Sequence, residues 1–274
     1  MSKVWFITGC SSGFGKILTQ ELLKSGERVV ATARKVEALS HLQDINDANL
    51  LTLPLDVTKR DTISEAVKRA HDHFGAIDVL VNNAGYGIMS ALEEASPAAI
   101  ERVFATNVFG LIAVTQAVLP IMRKQRSGRI INISSAAGAV VTPGFSIYNA
   151  TKFSVEGASE ALAQEVAPFG IKVIIIEPGP FRTDFLGRSL DVMPPIQDYE
   201  QSVGPTRQYA EKNNAQQAGD PLKAAHIIMQ MAESPAPPLR MPLGNSAVDR
   251  IKNKLSNWQK ELLEHEELSR SADF

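Results

Sequence analysis

Tyr148 and Lys152 stand four positions apart in Tyr148-Asn149-Ala150-Thr151-Lys152. This segment is predicted to open a helix, which places the phenol and the ammonium on one face. A free phenol ionises near pH ~10. A neighbouring cation favours the phenolate and brings that value nearer the range useful for proton transfer. Ser135, thirteen positions before Tyr148, ends a predicted strand, where its hydroxyl can reach into the crevice beyond the sheet edge. Ser134 precedes it. Side chains alternate along a strand, so only one of the two serines is expected to face that crevice.

A second set of residues suits an anionic ligand. Thr8-Gly9-Cys10-Ser11-Ser12-Gly13-Phe14-Gly15 joins a first strand to a helix beginning near Lys16. Glycines there permit tight turns and close ligand approach, and the helix N-terminus favours phosphate oxygens. The spacing G-x-x-x-G-x-G departs from the G-x-G-x-x-G fingerprint. Roughly 20 residues on, where a carboxylate would bind the ribose hydroxyls of NAD, the second strand ends in Ala33-Arg34-Lys35. The Arg34 guanidinium suits a 2′-phosphate and Lys35 adds a second cation, so NADP(H) is expected and NAD is disfavoured. Asp56-Val57, after the third strand, is placed either to hold the adenine edge or to cap the next helix.

These residues need a scaffold, and the chain supplies alternating short β-branched runs and longer helical patterns. Strands are predicted at 4–8, 28–33, 50–55, 79–82, 129–134 and 172–177, and helices at 64–74, 97–123 and 148–168. The expected fold is a single α/β domain with a Rossmann-type, doubly wound parallel sheet of about seven strands and helices on both faces. Residues 1–180 form the core. Residues 181–220 read as an irregular lid, because a loop that long is usually functional or mobile. Residues 221–274 supply C-terminal helices and an edge strand. Phe181, Phe185, Leu186, Met193 and Tyr199, with Phe145, Val140 and Met89, either wall an apolar substrate site or pack the lid onto the domain. The first reading predicts a hydrophobic ketone or secondary alcohol as the small-molecule substrate.

Bulk properties exclude several function classes. Among 274 residues the net charge is -2, with 44% hydrophobic and 21% charged side chains. No Lys/Arg run is available to neutralise a nucleic-acid backbone. Cys10 is the only cysteine, which rules out an internal disulfide or multi-thiolate metal site and fits a reducing compartment. His71 and His73 lie two apart on a predicted helix and point apart, so no metal is expected. Val4-Trp5-Phe6-Ile7 is too short for a secretory signal, and no stretch approaches the roughly 20 apolar residues of a membrane span. A cytoplasmic protein with no membrane partner is expected.

Taken in order, Thr8-Gly9-x-x-x-Gly13-x-Gly15, Asn82-Asn83-Ala84-Gly85, Asn107, Ser135, Tyr148-x-x-x-Lys152 and Pro178-Gly179 with Thr183 resemble the short-chain dehydrogenase/reductase family. The resemblance covers residues 3 to about 184 and extends, through Leu239-Arg240-Met241-Pro242-Leu243-Gly244, to bacterial 17β-hydroxysteroid-dehydrogenase-like members. It implies that Tyr148 is the general acid in carbonyl reduction or the base in alcohol oxidation, and that Ser135 binds the reacting oxygen. Lys152 would hydrogen-bond the nicotinamide ribose and lower the Tyr148 pKa, with Asn107 helping to hold a proton-relaying water. The resemblance further implies cofactor contacts from Gly9, Ser11, Ser12, Gly13, Phe14 and Gly15, from Asn83, Ala84 and Gly85 on the adenosine side, and from Pro178, Gly179, Phe181 and Thr183. It also implies a homo-dimer or homo-tetramer paired through helices 97–123 and 148–168. Another reaction such as epimerisation, or a nucleotide-sensing regulator, stays open, although an intact Ser135, Tyr148 and Lys152 argue against a pure sensor.

Overall fold

The computed structural model describes residues 2–274. Among the described residues nine strands form: β1 (Val4–Ile7), β2 (Arg28–Ala33), β3 (Leu50–Pro54), β4 (Val79–Asn82), β5 (Gly87–Met89), β6 (Gly128–Ile133), β7 (Ile171–Pro178), β8 (Leu190–Val192) and β9 (Arg240–Leu243). The helices are α1 (Gly13–Lys24), α2 (Gln43–Asn46), α3 (Arg60–Phe74), α4 (Pro97–Phe104), α5 (Leu111–Gln125), α6 (Ser146–Val166), α7 (Glu200–Asn213), α8 (Pro221–Glu233), α9 (Asn245–Glu264) and α10 (Glu266–Arg270).

Seven strands make one sheet in the order β3-β2-β1-β4-β6-β7-β9, and every pairing in it is parallel. Apolar runs such as Val173-Ile174-Ile175-Ile176 suit this position, because a parallel sheet is covered on both faces. One face packs Ile7, Ala31, Ile131 and Ile174 with Leu18 and Leu22 of α1 and Ile228 of α8. The other packs Phe6, Val30, Ile130 and Val173 with Ile63 and Val67 of α3 and Val114 and Val118 of α5. The strand order reverses direction at β1/β4, and ligands of such sheets bind beyond the strand C-termini at that point. The fold is thus the expected doubly wound α/β domain, with β9 supplying the anticipated edge strand.

Three local readings differ. The helix expected over 97–123 is interrupted: Ala105–Gly110 forms a π-helical turn between α4 and α5. Such a widened turn is frequent at functional sites, and here it carries the buried Asn107. Gly110 is its last residue, where a Cβ would sit 2.7 Å from Val57 Cγ2, leaving room only for glycine.

Second, the continuous run Pro97–Gln125 is long and apolar enough by length and composition to cross a membrane. This corrects the expectation that no stretch approaches that limit. Its apolarity has a local cause, since Val103, Val108, Val114, Val118 and Met122 are buried in the domain core.

Third, residues 181–220 are not an irregular loop. They contain β8, which pairs in parallel with β5, and the 14-residue helix α7. Gly204 and Pro205 inside α7 hide its helical pattern, since both weaken a helix interior. The C-terminal helical stretch breaks at His265 between α9 and α10.

Candidate active site

The glycine-rich turn leaves β1 and reaches α1 by way of Gly9, whose φ of +74° lies in the region only glycine enters cheaply. Gly15 has a different duty. A Cβ there would run into the Gly9 carbonyl and the Asn83 amide, so glycine lets the first helical turn close on the strand end. Asn83 braces the turn from β4, donating from Nδ2 to the carbonyls of Thr8 at 2.9 Å and Gly9 at 3.0 Å. Thr8 Oγ1 in turn accepts from the backbone N–H groups of Asn83 and Ala84, each at 3.0 Å. Cys10 is buried within the turn, and burial pushes its thiol up to about 11.

A cleft of about 1250 Å³ opens over these strand ends. Gly9, Ser11, Ser12, Gly13 and Phe14 line one end with Arg34, Asp56, Val57, Asn83, Ala84 and Gly85. Burial raises the Asp56 carboxyl, but hydrogen bonds from the Thr58 side chain and backbone, with the charges of Lys59 and Arg34, outweigh it and hold the group below its ordinary value. Lys35 is exposed and stands outside the cleft wall, as does Gly15. Of the two cations predicted at the end of β2, only Arg34 lines the cleft.

The other end of the cleft carries Ser135, Tyr148, Lys152, Pro178, Gly179, Phe181 and Thr183. Tyr148 and Lys152 occupy the first two turns of α6, on the face buried along with Val155, Glu156 and Ser159. The Lys152 ammonium donates to the Ile133 carbonyl at 2.8 Å and lies 5.7 Å from the Tyr148 ring centroid. Burial depresses the ammonium to about 8, against the opposing pull of Glu156. Burial also pushes the Tyr148 phenol above its usual value, while the Ser135 hydroxyl pulls it down. The Lys152 ammonium is directed at the Ile133 carbonyl in this structure, and the hydrogen-bonding group acting on the phenol is the Ser135 hydroxyl. Ser135 sits at the end of β6, accepting from Ala137 N at 3.1 Å. The hydroxyl of Ser134 is buried near Gly138 instead.

Asn107 does not line the cleft. Its Oδ1 accepts from Tyr86 N at 3.0 Å, and its Nδ2 donates to Tyr86 O at 2.8 Å and to Thr151 Oγ1 at 3.2 Å. It therefore ties the π turn both to the chain after Gly85 and to α6 between Tyr148 and Lys152. A buried polar ladder lies deeper: Asn82 Nδ2 donates to Thr115 Oγ1 and Asn132 Oδ1, each at 2.9 Å, and Asn132 Nδ2 donates to Ser159 Oγ at 2.8 Å. Asn82 stood in a recognised motif, but no spacing signalled Thr115, Asn132 or Ser159.

Of the predicted apolar wall, Phe145, Phe181, Phe185 and Leu186 line the cleft, with Leu190 and Tyr209 added. Met193 packs into a side cluster with Ile88 and Val103, and Val140 packs with Ala136 and Ala247. Met89 is buried, and the Tyr199 hydroxyl donates to Glu93 at 2.8 Å, outside the cleft. Arg102 and Arg250 also line the cleft; they belong to no recognised motif. Among the described residues, no group of three or more His, Cys, Asp or Glu is placed to hold a metal.

A family profile described as short chain dehydrogenase matches residues 3–191. The chain belongs to the short-chain dehydrogenase family. Among members, Oxidoreductase BOA17 of Botryotinia fuckeliana is 40% identical over 250 residues, spanning 91% of each chain. The 3-ketodihydrosphingosine reductase of Bacteroides thetaiotaomicron is 39% identical over 244 residues, 88% of each. A short-chain dehydrogenase from Streptomyces avermitilis superposes with a TM-score of 0.94 at 41% identity over 100% of both chains. ElxO with NADP bound superposes at 0.76 and 28% identity, over 91% of this chain and 100% of that one. This short-chain dehydrogenase is therefore an oxidoreductase by family, with a nicotinamide cofactor supported by its structural neighbours.

Proposed function

We propose that this short-chain dehydrogenase interconverts a carbonyl and an alcohol with NADP(H), using Tyr148 as the proton donor and acceptor. The observation that carries the reading is a buried phenol beside the Ser135 hydroxyl, at the cleft wall and one helical turn before a buried ammonium. When bound, the nicotinamide supplies or accepts the hydride. The chain supplies the rest. Ser135 orients the reacting oxygen, Tyr148 delivers or removes its proton, and Lys152 keeps a positive charge beneath the phenol.

The cleft fits a dinucleotide. Its volume exceeds the roughly 300–1,000 Å³ of ordinary small-ligand pockets, leaving room for a substrate beside the cofactor. Arg34 on its wall, with no carboxylate beside it at the end of β2, favours NADP(H) over NAD, and ElxO, bound to NADP, supports the same choice. Residues 181–220 act as the substrate lid in this reading. Phe145, Phe185 and Leu186 favour an apolar ketone, and the 3-ketodihydrosphingosine reductase among the relatives supports that class.

The test is a Tyr148→Phe variant assayed against a panel of ketones, aldehydes and quinones. NADPH binding should persist while carbonyl reduction falls by about 10²-fold or more. Unchanged turnover would remove Tyr148 as the proton donor.

A further inference from the structure

The end of the chain leaves the body of the molecule. At its start α9 packs Ala247 and Ile251 against Ala136 and Val140. From Lys252 to the end of the helix every residue is exposed, a free length of about 20 Å at 1.5 Å per residue. A helix this short is marginal in water without tertiary packing.

The free part keeps the apolar face that the packed part buries. Ile251, Leu255, Trp258 and Leu262 follow one another at steps of four, three and four, the spacing of a coiled-coil seam. Leu255, Trp258 and Leu262 are 60%, 61% and 60% exposed. Lys252 and Lys254 lie toward the start of this stretch, and Glu261 and Glu264 toward its end, where Lys260 lies 3.7 Å from Glu264 within the same helix. Two copies laid side by side in the same direction would oppose like charges. Laid in opposite directions, they set each lysine block against a glutamate block while Leu255 of one copy faces Leu262 of the other.

We propose that α9 is a dimerisation arm whose occupant is the α9 of a second copy of this chain, paired antiparallel about a two-fold axis near Trp258. The contact is isologous, so it closes on itself and ends at two copies. It stands independently of the redox reading.

Sedimentation velocity on the full chain tests it, with tryptophan emission as a second reading, since Trp5 is buried and Trp258 exposed. Lys252→Glu with Lys254→Glu, and separately Glu261→Lys with Glu264→Lys, should each halve the sedimenting mass at micromolar concentration and shift the emission to the red. An equimolar mixture of the two variants should restore both readings, because each block then meets its opposite again. Undiminished mass in either charge variant, or a mixture that fails to recover, overturns the proposal. So does a monomeric wild-type chain whose emission shifts only on vesicles of phosphatidylserine and phosphatidylcholine. Retained NADPH binding in the variants excludes unfolding as the cause.

Discussion

Arg207 Nη2 lies 2.5 Å from Glu94 Oε2, joining α7 to the turn before α4 across more than a hundred residues of chain. The carboxylate is wholly buried and also accepts from Ala91 N at 2.6 Å and Ile196 N at 2.8 Å. Burial raises its pKa, but the hydrogen bonds from Ile196, Arg207 and Ala91 prevail and hold it below the ordinary value. One group therefore ties both Ile196 and Arg207 of the 181–220 segment to the turn before α4. Glu94→Gln should cost about 1–3 kcal/mol of stability and raise KM more than it lowers kcat. Because the native pKa is depressed, the wild-type advantage should fade as pH falls through that value. Urea melts of both proteins at pH 7 and pH 4 check it.

Arg34→Ala should weaken NADPH binding by about 10–100-fold, in line with the loss of one charged hydrogen-bonding partner. NADH binding should change much less. Fluorescence titration with both nucleotides decides it, and equal losses would place the 2′-phosphate elsewhere.

Lys152 is depressed to about 8 from an ordinary 10.5. The native chain therefore binds fewer protons than the unfolded chain between those values, and its stability climbs with pH across them. Lys152→Met removes a buried charge at neutral pH. It should stabilise the cofactor-free protein by about 1–3 kcal/mol at pH 7, lose that gain toward pH 10.5, and abolish most turnover. Paired chemical melts and assays separate the two effects.

Glu177 behaves in the opposite sense. Burial and the nearby Glu156 charge lift it to about 7, partly offset by Arg240, and neither carboxylate oxygen has a hydrogen-bond partner within the protein. The native state holds a proton that the unfolded chain releases from its ordinary 4.5 upward, so wild-type stability falls as pH rises toward 7. Glu177→Gln should be more stable than wild type by about 1–3 kcal/mol at pH 8 and similar to it at pH 4, as read by thermal melts.

Gly15→Ala forces a methyl into the Gly9 carbonyl and the Asn83 amide. Overpacking of this kind costs about 1–3 kcal/mol, and it opens the turn. Calorimetric titration should show NADPH affinity reduced at least tenfold, a larger loss than the stability change alone explains.

The sheet was legible because parallel strands bury both faces, which makes 29–31 and 173–176 continuous apolar runs within the predicted strands. The site was legible where local spacing carries the geometry, as with Tyr148 and Lys152 on one helix. Distant partnerships left no trace. Arg207 meets Glu94 only after the whole segment has folded, and Asn132 reaches Asn82 and Ser159 through sheet order. Gly204 and Pro205 disguised α7 by lowering local propensity that tertiary packing restores. The π turn escaped because its apolar periodicity continues smoothly from α4 into α5.

Cys10, sealed inside the glycine-rich turn after β1 with its thiol raised to about 11, stays protonated and out of reach of reagents at neutral pH. A chain whose one native sulfhydryl is silent is a ready background for site-directed labelling. A cysteine introduced on the arm or on α7 would take up a spin label or a fluorophore alone, so distances between copies and movements over the cleft can be measured without first removing any native residue.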